Sequence, residues 1–312
     1  MRTVTPNKKV ILDCDPGHDD AVALVLTARS PELDVVGVTC VAGNVDVEKT
    51  AANALKICAL AGMEDVPVVK GMAQPLFGEL QTATHVHGKT GLDGARFPEP
   101  EMSLHPGHAV DFLINRLLAS DGDITLIPIG PLTNIAMAML QEPRIIPKIP
   151  QIVLMGGAMG MGNVTPSAEF NIYVDPEAAK VVFESGVPVV MLGLDVTHSA
   201  LLTPDHLAAI QAHGTPLTEV FSGLLTFYLN RFASFGHPEG AVLHDPCAVA
   251  AVCDPSLLTT QLMRVDIETK GEFTRGRTVC DPKLKSGKDP NVRVGVAFDA
   301  ERFFEMLLSR LK

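Results

Sequence analysis

The chain has no surplus of positive charge: its 312 residues carry 25 Lys+Arg against 36 Asp+Glu, 25 − 36 = −11. Neutralising a phosphate backbone needs a face rich in Lys and Arg, so a nucleic-acid partner is excluded as the main business of the protein. Long apolar runs are missing as well. The longest, residues 21–26 and 187–194, fall far short of the roughly 20 residues that cross a bilayer, and no membrane span is expected. Behind Arg2, Lys8 and Lys9 only Val10 to Leu12 are apolar before Asp13, so the apolar centre of a secretory signal is lacking. The six cysteines have neither a short metal-ligand spacing nor the density of a disulfide framework. Reduced, buried thiols and a cytoplasmic location are the expectation. No G-x-G-x-x-G follows the first apolar run, which counts against a dinucleotide site. No Ser/Gly/Pro-rich linker or repeat divides the chain, and residues 1–312 are expected to form one domain.

What is present is an ordinary core composition, 46% hydrophobic and 20% charged residues, arranged with an alternating rhythm. Val- and Ile-rich runs at residues 10–12, 35–41, 66–69, 124–129, 152–155 and 187–192 alternate with helical apolar spacing at 47–61, 109–119, 132–140, 176–184 and 204–212. Strands this uniformly apolar are buried on both faces. The pattern predicts an α/β fold: one open, mostly parallel, doubly wound sheet with helices on both sides. Two late strands, 263–267 and 292–298, and a closing helix at 300–311 complete it. Open sheets of this kind bind ligands beyond the carboxyl ends of their strands, so the chemistry is expected just after the apolar runs.

There the first run delivers four carboxylates in eight residues: Asp13-Cys14-Asp15-Pro16-Gly17-His18-Asp19-Asp20. Helix capping by Asp19 or Asp20 accounts for one or two of them, not four. Carboxylates crowded at a buried strand end repel one another unless a cation or a proton intervenes, which points to a hard-cation site. Pro16 and Gly17 would turn the chain so that Asp15 and Asp20 face one ion.

This octapeptide, followed in order by Val41-Ala42-Gly43-Asn44, His87-Gly88 with Gly91-Leu92-Asp93-Gly94, Ile129 to Asn134, Met155 to Ala158, Pro166 to Asn171 and His244-Asp245-Pro246, resembles the signature blocks of the nucleoside hydrolase family of the inosine-uridine preferring type. The resemblance is nearest to its bacterial pyrimidine-specific ribonucleoside hydrolases. It implies hydrolysis of a ribonucleoside to ribose and free base, with Ca²⁺ held by Asp15, Asp20, Asp245 and the backbone carbonyl of Ile129. All-oxygen ligation suits that cation. By the same resemblance Asp15 is the general base acting on water, and Asp19, Asn44, Asn163, Glu169 and Asn171 clamp the ribose. Phe170 between two polar residues suggests an extended alternation that puts Glu169 and Asn171 on one side. Phe170 and His87 join the expected substrate contacts, Met155 is apolar wall near the sugar or strand-end packing, and Tyr228 with Phe227, Phe232 and Phe235 either packs on the base or fills core; His244, and less directly His87, are candidates to protonate the base on departure. Gly88, Gly91 and Gly94 suggest that residues 78–95 form a mobile lid, with a second, helical lid at 221–235. Asp13 either orients Asp15 or serves the turn. The resemblance further implies a homotetramer and a place in pyrimidine salvage.

Three other readings compete. An Asp-x-Asp after a buried first strand also marks Mg²⁺-dependent aspartate phosphotransferases, although Pro16 follows the second Asp here and no later Lys with an acidic pair is well placed. A broad inosine-uridine hydrolase would use the same sugar site with another base preference. A non-catalytic nucleoside or sugar binder would need no Asp15 or Asp245, and both are present.

Overall fold

Val10-Ile11-Leu12 are apolar in succession, so their side chains leave the strand on both sides, which is what a strand in the middle of a three-layer fold requires. The computed structural model describes residues 7–311. Val10, Leu12 and Cys14 enter one hydrophobic core and Ile11 the other. This strand, β1 (Lys8–Cys14), is followed by β2 (Leu33–Cys40), β3 (Val68–Lys70), β4 (Ile124–Pro128), β5 (Ile152–Met155) and β6 (Val189–Leu192). A short pair, β7 (Leu201–Leu202) and β8 (Ala241–Val242), stands apart, and β9 (Leu258–Ile267), β10 (Thr278–Asp281) and β11 (Val292–Phe298) close the series.

The large sheet runs β10-β9-β11-β6-β5-β4-β1-β2-β3. Pairing is parallel from β3 across to β11, while β9 and β10 pair antiparallel at one edge. The mostly parallel α/β expectation therefore holds. The order 3-2-1-4-5-6 reverses between β1 and β4, and the crevice at such a switch point is where ligands bind in open sheets.

Among the described residues the helices are α1 (His18–Ala28), α2 (Val47–Ala61), α3 (Thr84–His87), α4 (Ala109–Ala119), α5 (Thr133–Gln141), α6 (Phe170–Val174), α7 (Pro176–Phe183), α8 (Leu194–Thr197), α9 (Pro204–Gln211), α10 (Pro216–Ser234), α11 (Asp245–Cys253) and α12 (Ala300–Arg310). Their boundaries follow local chemistry. The carboxylate of Asp46 accepts the Lys49 N–H at 3.1 Å to start α2, and Gly62, in the left-handed region at φ 80°, ends it. α1 and α11 are buried almost all round and pack against one core, as their Ala/Val/Leu composition demands. None of the described helices is long and apolar enough to cross a membrane.

Three elements depart from the sequence reading. The run at 66–69 yields only the short β3, because Val66 belongs to the turn before it. β10 was not foreseen: Thr278–Asp281 has few apolar residues, and partnership with β9 makes it a strand. Glu169-Phe170-Asn171 is not an extended alternation. Glu169 caps α6, its carboxylate accepting the Asn171 and Ile172 N–H groups at 2.9 and 3.2 Å.

Candidate active site

Beyond the ends of β1 and β4 lies a cavity of about 740 Å³ that contains Asp19, Asn44, Ile129, Met155, Glu169 and Asn171 in its inner half and His244 and Asp245 beside them. Its outer half is ringed by His85, His198, Phe232, Phe235, His237 and Glu239.

The floor is acidic and buried. Asp15, Asp19, Asp20 and Asp245 are all buried. Asp20, in the first turn of α1, bends back to accept the N–H groups of Gly17 at 2.9 Å and Asp15 at 3.1 Å, and the Asn44 Nδ2 at 3.1 Å. Capping of α1 thus falls to Asp20. Asp19 lies toward the start of α11, where the His244 and Asp245 backbone N–H groups partly offset the rise in its pKa. Carboxylate oxygens of Asp19, Asp20 and Asp245 lie within 4.8 Å of one another. Burial, then mutual repulsion, pushes Asp19 up to about 7 and Asp15 and Asp245 well above the usual carboxylate range; burial also raises Asp20, against the N–H groups it accepts. Buried carboxylates this close are tolerated only across a proton or a cation. This donor set, all oxygen and all carboxylate, fits a hard cation.

Asp15 lies outside that triad but beside it, held between two glycines. Its Oδ2 accepts the Asn44 N–H at 2.7 Å. A Cβ on Gly43 would sit 2.9 Å from its carboxyl carbon, and one on Gly130 3.0 Å from the same atom. The Ile129 carbonyl, at the end of β4, is the acceptor of Asn171 Nδ2 at 2.9 Å, and the Met155 carbonyl takes the same amide at 3.2 Å. Asn171 is thereby a brace between two strand ends. Asp13 does not touch the Asp15 carboxylate: its Oδ1 accepts Thr39 Oγ1 at 2.5 Å and Asn134 Nδ2 at 2.7 Å, tying β1 to β2 and α5, and burial lifts it to about 7.

On the opposite wall Glu169 accepts the Gly157 N–H at 2.9 Å as well as capping α6, and burial raises it to about 7. Asn163 Oδ1 accepts the Phe170 N–H at 3.0 Å. Both residues, with Phe170 and Met155, line the cavity.

Burial keeps His244, His87 and His18 neutral. Burial, helped by His198, drives His244 down to about 3, and its Nδ1 lies 2.8 Å from Thr197 Oγ1. His87 is pushed well below the usual range by burial; its Nδ1 accepts the His18 N–H at 3.1 Å. His18, likewise lowered to about 4, donates Nε2–H to the Asp93 carbonyl at 2.9 Å. Neither His87 nor His244 is a cation at neutral pH, contrary to the expectation that a histidine would titrate in that range. Tyr228 is buried: its hydroxyl donates to the Val242 carbonyl at 3.0 Å, and its ring stacks on His18 with centroids 5.1 Å apart, so only its aromatic surface borders the cavity.

The two candidate lids meet each other. Gly94, in the left-handed region, lies so close to Phe227 and Gly223 of α10 that neither it nor Gly223 has room for a Cβ, and the Thr90 carbonyl is held by Asn53 Nδ2 at 2.8 Å. α10 runs over nineteen residues, longer than the 221–235 expectation.

Residues 10–305 match the model of a family described as inosine-uridine preferring nucleoside hydrolase. The chain is 47% identical over 301 residues to the pyrimidine-specific ribonucleoside hydrolase RihB of Escherichia coli K12, covering 96% of each chain. It belongs to the nucleoside hydrolase family. It is accordingly an enzyme of the N-glycosyl hydrolase class. Among solved structures, the purine-preferring ribonucleoside hydrolase from Gardnerella vaginalis superposes with a TM-score of 0.92 at 36% identity, over 97% of this chain and 98% of that one. A plant nucleoside hydrolase, the PpNRh1 enzyme, also gives 0.92 at 36% identity, over 98% and 99% of the two chains.

For this nucleoside hydrolase, sequence reasoning located the acidic loop and the strand-end carbonyl but missed their supports. His18 was visible inside the octapeptide, yet only the fold shows it stacked between α10 and His87. Asn134 and Asn171 act through backbone carbonyls distant in sequence, a partnership that no residue pattern announces.

Proposed function

We propose that this chain hydrolyses the N-glycosidic bond of pyrimidine ribonucleosides, with Ca²⁺ as cofactor, to give ribose and the free base. The observation that carries the reading is the buried set of four carboxylates at the β1/β4 switch point, which only a cation or protons can neutralise. The name of the relative that is 47% identical supplies the pyrimidine preference.

Asp15, Asp20, Asp245 and the Ile129 carbonyl would hold the ion, with Asp19 close enough to join or to face a sugar hydroxyl. Bound there, Ca²⁺ would supply positive charge that makes water more acidic. Asp15 takes the proton from the attacking water, its basicity raised by burial and its direction fixed by Asn44 N–H and the two glycines. Asn44, Asn163, Glu169 and Asn171 meet the ribose hydroxyls, and the energy of that clamp positions C1′. As the base leaves, positive charge grows on the ring, and the neighbouring carboxylates stabilise it.

Neutral His244, its Nδ1 2.8 Å from Thr197 Oγ1, would offer Nε2–H to the departing base in the tautomer in which Thr197 donates to Nδ1, rather than acting as a cationic acid. His87, Met155, Phe170 and the Tyr228 ring form the remaining wall of the base site. The enzyme works as a single-domain protomer of a cytoplasmic homotetramer in pyrimidine salvage, and residues 78–95 with α10 open and close over the substrate.

A broad base preference is the second reading, favoured by the 740 Å³ cavity and by the fold shared with a purine-preferring hydrolase. Values of kcat/KM for cytidine, uridine and inosine decide between them. A pyrimidine preference of tenfold or more is expected; equal values establish the broad enzyme, and no ribose from any of the three refutes the hydrolase assignment.

A further inference from the structure

One wall of the cavity is a loop, residues 159–168, with no helix or strand of its own. It carries Asn163 and Val164 to the ligand, while Met161 near its tip is 79% exposed, so hydrophobic burial does little to anchor it. Within the loop the Asn163 and Val164 N–H groups converge on the Ala168 carbonyl at 3.1 and 3.3 Å. The Asn163 amide, its Oδ1 taken by Phe170 N–H, is turned so that Nδ2 remains as a donor for a ligand.

The loop is fastened to the rest of the fold at its start. Asp195, in α8, accepts the N–H groups of Met159 at 2.6 Å and Gly160 at 3.0 Å. Arg277, next to β10, donates to the carbonyls of the same two residues, at 3.1 Å to Met159 and 3.0 Å to Gly160. Just before them Thr278 Oγ1 bonds both the N–H and the carbonyl of Ala158, at 2.9 and 2.6 Å. Two successive residues are thus gripped on their donor side by a carboxylate and on their acceptor side by a guanidinium, each bond charge-assisted. Neither Asp195 nor Arg277 lines the cavity.

We infer that Asp195 and Arg277 are a positioning pair that sets affinity for the ribose by holding Asn163 against the cavity. The inference rests on the ribonucleoside hydrolase reading. The two charged residues touch no substrate; they act through the loop, so their loss is felt at Asn163 and not at the reacting carbon.

The test is a double-mutant cycle on the Ca²⁺-loaded full chain with Asp195→Ala, Arg277→Ala and Asn163→Ala, and with each of the first two combined with the third. Ribose binding is read by calorimetry and uridine hydrolysis as separate KM and kcat. Each single variant is expected to weaken ribose about tenfold and raise KM by the same factor, with kcat within about twofold, since charged hydrogen bonds of this kind carry about that much. Each double variant should be no worse than Asn163→Ala alone, and Arg277→Lys should recover part of the loss. Multiplying losses in the double variants, or a fall in kcat at unchanged KM, overturns the inference. So does unaltered ribose binding in Arg277→Ala, or failure of both clamp variants to fold, which would make the pair structural. If the wild-type chain binds ribose but releases none from uridine, the hydrolase reading fails while calorimetry still decides the role of the pair. If it binds no ribose, both fall.

Discussion

Replacing Gly43 by alanine tests the role of Asp15 without altering any polar group. The added Cβ would stand 2.9 Å from the Asp15 carboxyl carbon and 2.9 Å from Pro131 Cδ, whereas carbon atoms pack at about 3.5–4.0 Å. Pro131 is fixed by its ring and by the start of α5, so the carboxylate must yield, by roughly 1 Å, and the 2.7 Å bond from Asn44 N–H to Oδ2 lengthens or breaks. A misplacement of about 1 Å at a reacting group costs on the order of 100-fold, about 2.7 kcal/mol of transition-state stabilisation. The backbone at Gly43 is not in the left-handed region, so alanine is tolerated there apart from this clash. Ribose release from uridine under saturating substrate and Ca²⁺ measures the effect, with Asp15→Asn as the comparison in which geometry is kept and basicity lost. Gly43→Ala should fall about 100-fold in kcat while its melting temperature stays within a few degrees. Turnover within threefold of wild type in a folded Gly43→Ala protein would refute the assignment of Asp15 as the aimed base.

The remaining predictions concern the metal, the histidine and the tyrosine. In the metal-free chain the raised carboxylates hold protons that the unfolded chain has already released, so stability falls as pH rises from about 4 to about 7. Ca²⁺ replaces those protons, and the gap in melting temperature between Ca²⁺-loaded and chelated protein should widen from about pH 5 to about pH 7.5. The neutral histidines destabilise both forms alike below about pH 6.5 and cancel in that difference; a gap that is constant or narrows would count against carboxylate ligation. His244→Ala should depress hydrolysis of uridine at least tenfold more than that of an activated aryl riboside, and equal losses would deny His244 any part in base departure. Tyr228→Phe should cost about 1 kcal/mol of stability by orphaning the Val242 carbonyl and leave kcat within about twofold. A tenfold fall in kcat would show instead that the hydroxyl reaches the substrate.

The parallel sheet and the acidic loop were legible because each is local: uniformly apolar strands, helical spacing between them, and four aspartates in a single turn. The same locality explains the errors. Glu169-Phe170-Asn171 reads as an alternation, yet Glu169 has three N–H groups within reach and caps a helix instead. β10 has no apolar signature and exists because β9 offers it an edge. Ile129 matters through a carbonyl, which every residue possesses, and only the resemblance singled it out. The histidines were the least readable. His87 and His244 are ordinary imidazoles in sequence, and their suppressed basicity comes from burial under α10 and beside His198, a property of the packed molecule alone. The clamp brings together Asp195 and Arg277, which lie 36 and 118 positions from the Met159 they both hold.

The most direct test of the account is release of reducing sugar from uridine by the purified protein, measured as prepared, after chelation, and after Ca²⁺ is restored. The account predicts ribose in the first sample, none in the second and full recovery in the third, with Asp15→Asn silent throughout. Undiminished release after chelation, in protein shown to be free of bound metal, would contradict it.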